Sequence, residues 1–347
     1  MRHFHRFLPF RFPVILILST AVWSTYARNW YKDMDFKGYL NVGAGVDNQG
    51  HTGGEPVYNT SFLEILRARL DYTITITENI ETRIELTGDI DKSAVGIRKG
   101  YVRFKLDDAD ELKTGVMKKR FSYEEIYSED ELITINRSLE NIIFNSFRIL
   151  GHDMGIEYGK HFMINGKKRL STFVNTSADG DRHVFGNGSL SYESSAFNML
   201  LSGLYSYHRD YADAIGVTAG TEFRSLPVFI QAESFGGRDP NATDLLKLTG
   251  VNRNVYFAGA RALGAPYFRF NRKIYGLEPL LETVLLFPDL RLISRPQVQN
   301  TAGINIYFSE KRNVRWMTDG VFIFTRDGHG LITTQSKAVY TQLQVSW

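Results

Sequence analysis

The chain has 347 residues, of which 43% are hydrophobic and 23% charged, and its formal net charge is +3. Residues 1–27 hold three arginines and no acid, so the remainder is close to neutral and gives no charge argument for a nucleic-acid partner. There is no cysteine, which excludes disulfide bonds, thiolate nucleophiles and cysteine metal ligands.

The N-terminal segment has the order of a secretory signal peptide. A basic start is followed by a short apolar run, residues 12–18, and then by small residues. We therefore predict a signal peptide over residues 1–27, cleaved after Ala27, and a mature domain over residues 28–347. The alternative is an uncleaved N-terminal anchor, although the run is too short to span a membrane as a stable helix.

The mature part shows period-two alternation of apolar and polar residues. Successive side chains of a strand lie on opposite faces, so this pattern predicts strands with one apolar and one polar face. The clearest apolar face consists of Leu66, Ala68, Leu70, Tyr72, Ile74 and Ile76. The face opposite consists of Arg67, Arg69, Asp71, Thr73, Thr75 and Thr77.

Such faces would also suit a soluble sandwich, but three features favour a membrane barrel. The polar face is densely charged, short and long connections alternate, and the last strand places Trp347 on its apolar face. A terminal aromatic residue of this kind resembles the assembly signal of bacterial outer-membrane barrels. In lipid every backbone N–H and C=O needs an internal partner, which strands obtain in a closed barrel. We predict an all-β fold, a transmembrane antiparallel β-barrel in the bacterial cell outer membrane.

About sixteen strands are predicted, enough to enclose an aqueous channel. Their starts lie near residues 34, 61, 80, 97, 111, 152, 168, 184, 197, 213, 227, 253, 273, 301, 313 and 336. The strands near 184 and 253 are weakly patterned, so fourteen or eighteen strands are the alternatives. Short turns are predicted near residues 78, 108, 194, 225 and 311, and long loops at 47–60, 119–150, 237–252 and 288–300.

Four motifs follow one another between residues 66 and 158. They are the runs Leu66–Leu70, Gly100–Phe104 and Leu112–Glu125, and Arg148 followed by Gly151–Ile156. In order and spacing this series resembles the phosphate-selective porin family, the porins called O and P. It departs from the family at Arg120, where proline is usual, and in the Gly151-His152 pair that separates Arg148 from Asp153.

The resemblance implies a homotrimer of sixteen-stranded barrels, a third external loop folded into the lumen, and basic residues that attract anions. The residues themselves support the inward loop. The connection 119–150 is long and carries many apolar groups, which a solvated surface loop would not. We expect it to pack inside the wall. Its acids outnumber its bases and would weaken a preference for anions if they faced the pore.

Eight basic residues are the candidate pore-lining and anion-binding groups: Arg67, Arg69, Arg83, Arg103, Lys118, Lys119, Arg120 and Arg148. Rings of basic side chains select anions, and guanidinium suits phosphate through forked hydrogen bonds. The alternative for the strand residues is a structural ion ladder with Asp71, Glu81, Glu85 and Asp89. For Lys118, Lys119 and Arg120 the alternative is a solvated charge run.

These features predict a porin that passes small anionic solutes such as phosphate, or neutral solutes, within outer-membrane lipid. No metal or cofactor is expected, because the histidines lack metal-ligand spacing, and no nucleophile motif indicates an enzyme. The alternatives are an outer-membrane lipid hydrolase, which would share the barrel, and a barrel that binds a surface partner through its long loops.

Overall fold

A computed structural model describes most of the chain after residue 31. The described residues are 32–49, 58–89, 94–147, 149–166, 168–179, 183–208, 212–225, 227–270, 274–292, 296–326 and 332–347. The predicted signal peptide, residues 1–27, lies outside them.

The described residues form sixteen wall strands, each antiparallel to its neighbours and ordered as in the sequence. The first and last strands also pair with each other, in a register that places Leu40 opposite Val345. The sheet therefore closes into a barrel, and the predicted fold class and strand number are confirmed.

The bounds of the strands agree with the predicted starts to within a few residues. The strands are β1 (Asp33–Gln49), β2 (Tyr58–Thr77), β3 (Ile80–Asp89), β4 (Ala94–Lys105), β5 (Asp110–Lys118), β6 (His152–Ile164), β7 (Lys168–Asp179), β8 (His183–Glu193), β9 (Phe197–His208), β10 (Ala214–Ser225), β11 (Val228–Asp239), β12 (Val255–Pro266), β13 (Gly276–Phe287), β14 (Gln297–Tyr307), β15 (Val314–Arg326) and β16 (Ile332–Ser346).

The two ends of the barrel differ. At one end the strands that meet near residues 78, 108, 194, 225 and 311 are separated by few residues, as predicted, and a two-residue strand, Phe268–Arg269, pairs with β13 there. The connections that start from the other end contain α1 (Tyr123–Ile126), α2 (Leu139–Ser146), α3 (Pro240–Leu248) and a 3-10 turn (Leu290–Leu292). Within the described ranges no helix has the length and apolar character needed to cross a membrane. The connection between β5 and β6, residues 119–151, is called the third loop below.

The predicted alternation of faces is confirmed along the last strand. Leu343 and Trp347 are exposed on the outer surface, whereas Gln342 and Gln344 are buried in the interior. On β2, Arg69 is likewise buried inside. Because the side-chain period is two, a slip of one residue in the register would have inverted every one of these positions.

Cysteines introduced at Arg83 and Ile84 should report opposite faces of the wall. Both residues are accessible from outside the wall's backbone, with 36% of the Arg83 side chain and 36% of residue Ile84 exposed. A difference in labelling therefore reflects the solvent that each one meets. In liposomes, a charged thiol reagent should label Arg83→Cys, and a lipid-soluble maleimide should label Ile84→Cys. The chain has no cysteine of its own, so the labelling is specific. Labelling of Ile84→Cys but not Arg83→Cys by the charged reagent would reverse the assigned faces.

Candidate functional site

The third loop lies inside the barrel. Its residues Phe121, Phe144 and Ile149 are fully buried. With Leu139 and Leu150 they form one apolar cluster against the inner wall residues Phe185, Leu204, Ala214, Phe235, Phe257, Val284 and Leu286. Removal of this apolar surface from water holds the loop in the lumen. The predicted inward-folded third loop is confirmed.

Phe144 is at the centre of this cluster. Its ring centroid lies 4.8 Å from that of Phe121, 5.9 Å from that of Phe235 and 5.5 Å from that of Phe257, all in edge-to-face arrangements. The wall makes room for the loop at Gly216, where a Cβ atom would lie 2.8 Å from Cζ of Phe121. The loop and the wall are therefore closely packed at this position.

The loop entry, part of the family-like motif, forms the first helical turn. The side chain of Ser122 caps α1 by accepting a hydrogen bond from the backbone N–H of Glu125 at 3.3 Å. Glu124 then accepts a hydrogen bond from the hydroxyl of Ser138 at 2.7 Å, which connects α1 to the start of α2. The motif therefore folds the loop back on itself inside the barrel.

A buried arginine, Arg261 of β12, anchors the folded loop to the barrel wall. The guanidinium of Arg261 on β12 lies 3.3 Å from Glu124 of the loop and 2.7 Å from Glu282 of β13. Buried charges are costly unless they are paired, so this arrangement favours one position of the loop. Burial raises the pKa of the nearby Glu140 well above its usual value, and Glu233 and Glu124 raise it further. Its neutral form is therefore favoured.

At its tip the third loop crosses the lumen to the opposite wall. There Oε2 of Glu129 lies 2.7 Å from Nη1 of Arg67 and accepts hydrogen bonds from Nη2 of Arg69 at 2.5 Å and from the hydroxyl of Tyr39 at 3.1 Å. Nη2 of Arg98 donates to its other oxygen, Oε1, at 3.3 Å. These four wall residues, Tyr39, Arg67, Arg69 and Arg98, are called the arginine cage below.

The cage keeps Glu129 ionised. Burial by itself would raise the pKa of this carboxyl, but the positive charges of Arg67, Arg69 and Arg137 outweigh burial and lower the pKa to about 2. Glu129 therefore carries its negative charge throughout the neutral range, and its contact with the cage is an ion pair at those pH values.

Arg98 was not predicted as a lumen residue. By simple alternation Lys99 would face the lumen and Arg98 the lipid. The register between β3 and β4 shifts between Glu85 and Leu86, so that Lys99 lies opposite Glu85 and Ile97 opposite Leu86. Arg98 is the extra residue of this bulge, and both Arg98 and Lys99 reach inward, Lys99 to within 2.5 Å of Glu85.

Most of the predicted site residues are paired with acids of the lumen face. Arg83 donates from Nε to Asp71 at 2.9 Å, and Arg103 bonds to Glu81. The structural ladder considered for these residues therefore exists. In four of the pairs, however, the arginine side chain is more exposed than its acid. The exposed fractions are 40% and 8% for Arg67 and Glu129, 36% and 16% for Arg83 and Asp71, 30% and 4% for Arg120 and Glu157, and 26% and 18% for Arg103 and Glu81.

The three basic residues at the loop entry, Lys118, Lys119 and Arg120, make different contacts. Lys118 donates to the backbone carbonyl of Tyr127 at 2.8 Å and so holds the loop tip. Lys119 is 2% exposed and pairs with Asp153 at 2.7 Å, so it offers no open charge to the lumen. Arg120 is partly exposed, lies over the ring of Phe173 and pairs with Glu157 at 3.2 Å. Arg148 lies outside the described residues.

No metal centre is evident within the described part of the chain. No group of three or more histidine, aspartate and glutamate side chains is placed there to hold an ion. The described lumen therefore offers paired charges, and in the four pairs above the guanidinium group is the more exposed member.

A closed sixteen-stranded barrel with a loop folded into its lumen is the architecture of bacterial outer-membrane β-barrel proteins. Similar solved structures include OmpF of Salmonella typhi in complex with daunomycin, with a TM-score of 0.61 at 12% identity over 92% of this chain and 99% of that one. An anion-selective porin from Comamonas acidovorans has a TM-score of 0.60 at 8% identity over 91% of this chain and 100% of that one. OmpT of Vibrio cholerae, described as a trimer form, has a TM-score of 0.60 at 10% identity, over 91% and 99%.

No protein-family model matches the chain, and no curated protein matches its sequence. At identities this low the structural likeness establishes the fold, and the fold is that of an outer-membrane barrel. The function has to be argued from the lumen itself.

Proposed function

We propose that the protein is an outer-membrane porin, a passive diffusion channel for small hydrophilic solutes that prefers anions such as phosphate over cations. The observation that carries the preference is the unequal exposure of the paired charges. In the four ion pairs of Arg67, Arg83, Arg103 and Arg120, the guanidinium side chain is the more exposed member. A passing anion therefore meets positive charge first.

The acids of the third loop do not oppose this preference as strongly as their number predicts. Glu124, Glu125 and Glu140 are buried, and Glu129 is held in the arginine cage. Charges in a water-filled pore are screened beyond about 8 Å at physiological salt, so the surface of the narrowest section decides selectivity. Burial of these four acids reduces the negative charge that the loop presents to the lumen, where Glu131 is the exposed loop acid among the described residues.

The resemblance to the porins O and P and the trimer described for the Vibrio cholerae neighbour both support a homotrimer as the working form. Residues 1–27 serve in this proposal as a signal peptide for export to the outer membrane. The pore itself needs no cofactor and no chemical step, since solutes follow their own gradient.

Neutralising two of the exposed arginines should weaken the anion preference. The double variant Arg67→Gln/Arg83→Gln removes the two most exposed guanidinium groups of the four pairs and leaves Glu129 and Asp71 in place. The chloride-to-potassium permeability ratio, measured from reversal potentials in a planar bilayer at low salt, should fall. It should fall less at high salt, where screening already weakens the field.

The matched control removes two arginines of the same kind elsewhere. Arg169 and Arg269 are also exposed and paired, with Glu193 at 2.6 Å and Glu310 at 3.0 Å, near the end with the short turns. The double variant Arg169→Gln/Arg269→Gln should change the ratio much less. An equal fall in both double variants, or no fall in the first, contradicts the role proposed for Arg67 and Arg83.

A further inference from the structure

We propose that the arginine cage is a binding site for a solute carboxylate, and that Glu129 is a tethered ligand that fills the site until such a solute displaces it. The inference deepens the proposed function and rests on it, because the solute reaches the cage through the lumen.

The cage belongs to the wall, and its ligand belongs to a loop. Tyr39 lies on β1, Arg67 and Arg69 on β2, and Arg98 on β4, all within the same hydrogen-bonded sheet. A site on rigid strands keeps its geometry when its ligand leaves. Both oxygens of the Glu129 carboxylate are engaged, at distances between 2.5 and 3.3 Å. The wall therefore presents a complete set of carboxylate contacts.

Exchange requires movement of one side chain and leaves the loop docked. The neighbouring backbone is held independently of Glu129, because Arg315 and Gln344 donate to the carbonyl of Asp130 at 2.9 and 3.0 Å. Lys118 holds the carbonyl of Tyr127 in the same way. The Glu129 side chain can therefore rotate out of the cage while the loop tip remains against the wall.

An empty cage is unfavourable, so displacement has to be an exchange of anions. Without Glu129 the guanidinium groups of Arg67, Arg69 and Arg98 would face one another, and Arg69 is almost fully buried. Buried cations with too little counter-charge are costly. Glu85 lies 3.7 Å from Arg69 and 3.9 Å from Arg98, but it also pairs with Lys99 at 2.5 Å. This one carboxylate therefore cannot balance the positive charge around it. Arg67, the exposed member, gives an incoming anion its first contact.

The resident ligand indicates the class of solute. A carboxylate offers two oxygens in one plane, which suits the flat, forked donors of arginine. Because Glu129 is attached to the protein by a short segment, it competes with a free carboxylate at an effective concentration of about millimolar or more. A free monocarboxylate is therefore held weakly and released readily, as passage through a channel requires.

Chemical rescue tests the site directly. Glu129→Ala removes the part of the side chain that acetate replaces, and acetamide is the uncharged molecule of the same shape. In detergent, acetate should raise the unfolding temperature of folded Glu129→Ala above its value in equal acetamide. Inorganic phosphate at the same ionic strength should raise it less. The control Glu131→Ala removes an exposed acid that accepts a hydrogen bond from Ser128 N, outside the cage, and should not distinguish acetate from acetamide.

Equal unfolding temperatures of Glu129→Ala in acetate and acetamide overturn the proposal, and a larger rise in phosphate overturns the assignment to carboxylates. If Glu129→Ala folds poorly, its refolding yields in the two solutes replace the temperatures. Recovery in acetate alone supports the site, and equal recovery overturns it.

A second readout separates this inference from the proposed function. In a planar bilayer, acetate titrated against chloride at constant ionic strength should reduce the current through Glu129→Ala at a concentration at least about tenfold lower than in the unmodified channel, because the tethered competitor is gone. Titrations that coincide in an anion-selective channel overturn the carboxylate site and leave the pore intact. A folded protein that conducts no ions contradicts the pore, and the unfolding temperatures then still decide whether the cage binds carboxylate.

Discussion

Replacing Phe144 with alanine is expected to loosen the third loop from the wall and to raise the single-channel conductance. The ring is fully buried and contacts Phe121 of the loop and Phe235 and Phe257 of the wall. Truncation of a buried phenylalanine costs about 3–5 kcal/mol, because transfer energy is lost and a cavity remains. That loss falls on the apolar cluster, one of the contacts that keep the loop in the lumen, while the hydrogen-bonded wall is untouched.

Single-channel recording measures the effect, with the heat-modifiable band on a gel as the check that the barrel has folded. Phe162→Ala is the matched control, because Phe162 is 44% exposed on the outer face of β6 and the chemical change is the same. Its conductance should equal that of the unmodified channel. A folded Phe144→Ala channel with unchanged conductance means that the loop does not restrict the pore.

Replacing Trp347 with alanine is expected to reduce strongly the amount of folded barrel in the membrane. Its backbone N–H donates to the carbonyl of Gly38 at 2.9 Å, and the N–H of Gly38 donates to the carbonyl of Trp347 at 3.1 Å. The indole ring lies over Gly38 so closely that a Cβ atom there would be 2.6 Å from Cζ2 of the ring. The ring therefore covers the seam between the first and last strands, where closure of the barrel is completed.

Heat-modifiable protein in outer-membrane fractions measures this assembly. Trp316→Ala provides the matched control, because Trp316 is also an outer-face tryptophan and lies within β15, away from the seam. It should assemble much better than Trp347→Ala. Equal assembly of the two variants means that the terminal ring has no special part in closure.

The strands and their faces could be predicted because each is encoded locally. Alternation over residues 66–77 places Arg69 inside, and the same rule places Leu343 outside on the last strand. The inward position of the third loop was also predictable, since residues such as Phe121 and Phe144 need a dry surface. Each of these properties depends on the composition of a few successive residues.

The candidate site was predicted only in part, because its geometry depends on contacts between distant segments. Arg67 and Arg69 were expected in the lumen, but their partner Glu129 lies sixty residues further on in the loop. Arg98 faces inward through a bulge that reverses simple parity, and no local pattern marked it. The burial of Lys119 against Asp153 follows from the position of the loop entry, which adjacent residues do not reveal.

The sequence around Arg261, the residue that anchors the loop, indicates weakly that this residue is unusual. Arg261 stands alone among small residues in the run Ala258-Gly259-Ala260-Arg261-Ala262, where an isolated charge needs a partner. The acids that pair with it, Glu124 and Glu282, come from the loop and from the next strand. Only the folded barrel brings them together, so the charge could be noticed in the sequence but its role could not.

The reversal potential of the unmodified channel in a potassium chloride gradient at low salt tests the proposed function most directly. The exposed guanidinium groups at Arg67, Arg83, Arg103 and Arg120 predict a potential whose sign shows that chloride crosses more readily than potassium. As salt rises, the reversal potential should move toward that of a non-selective channel, because salt screens these charges over shorter distances. A channel that passes potassium more readily than chloride at low salt contradicts the proposed anion preference, and folded protein that conducts no ions contradicts the pore itself.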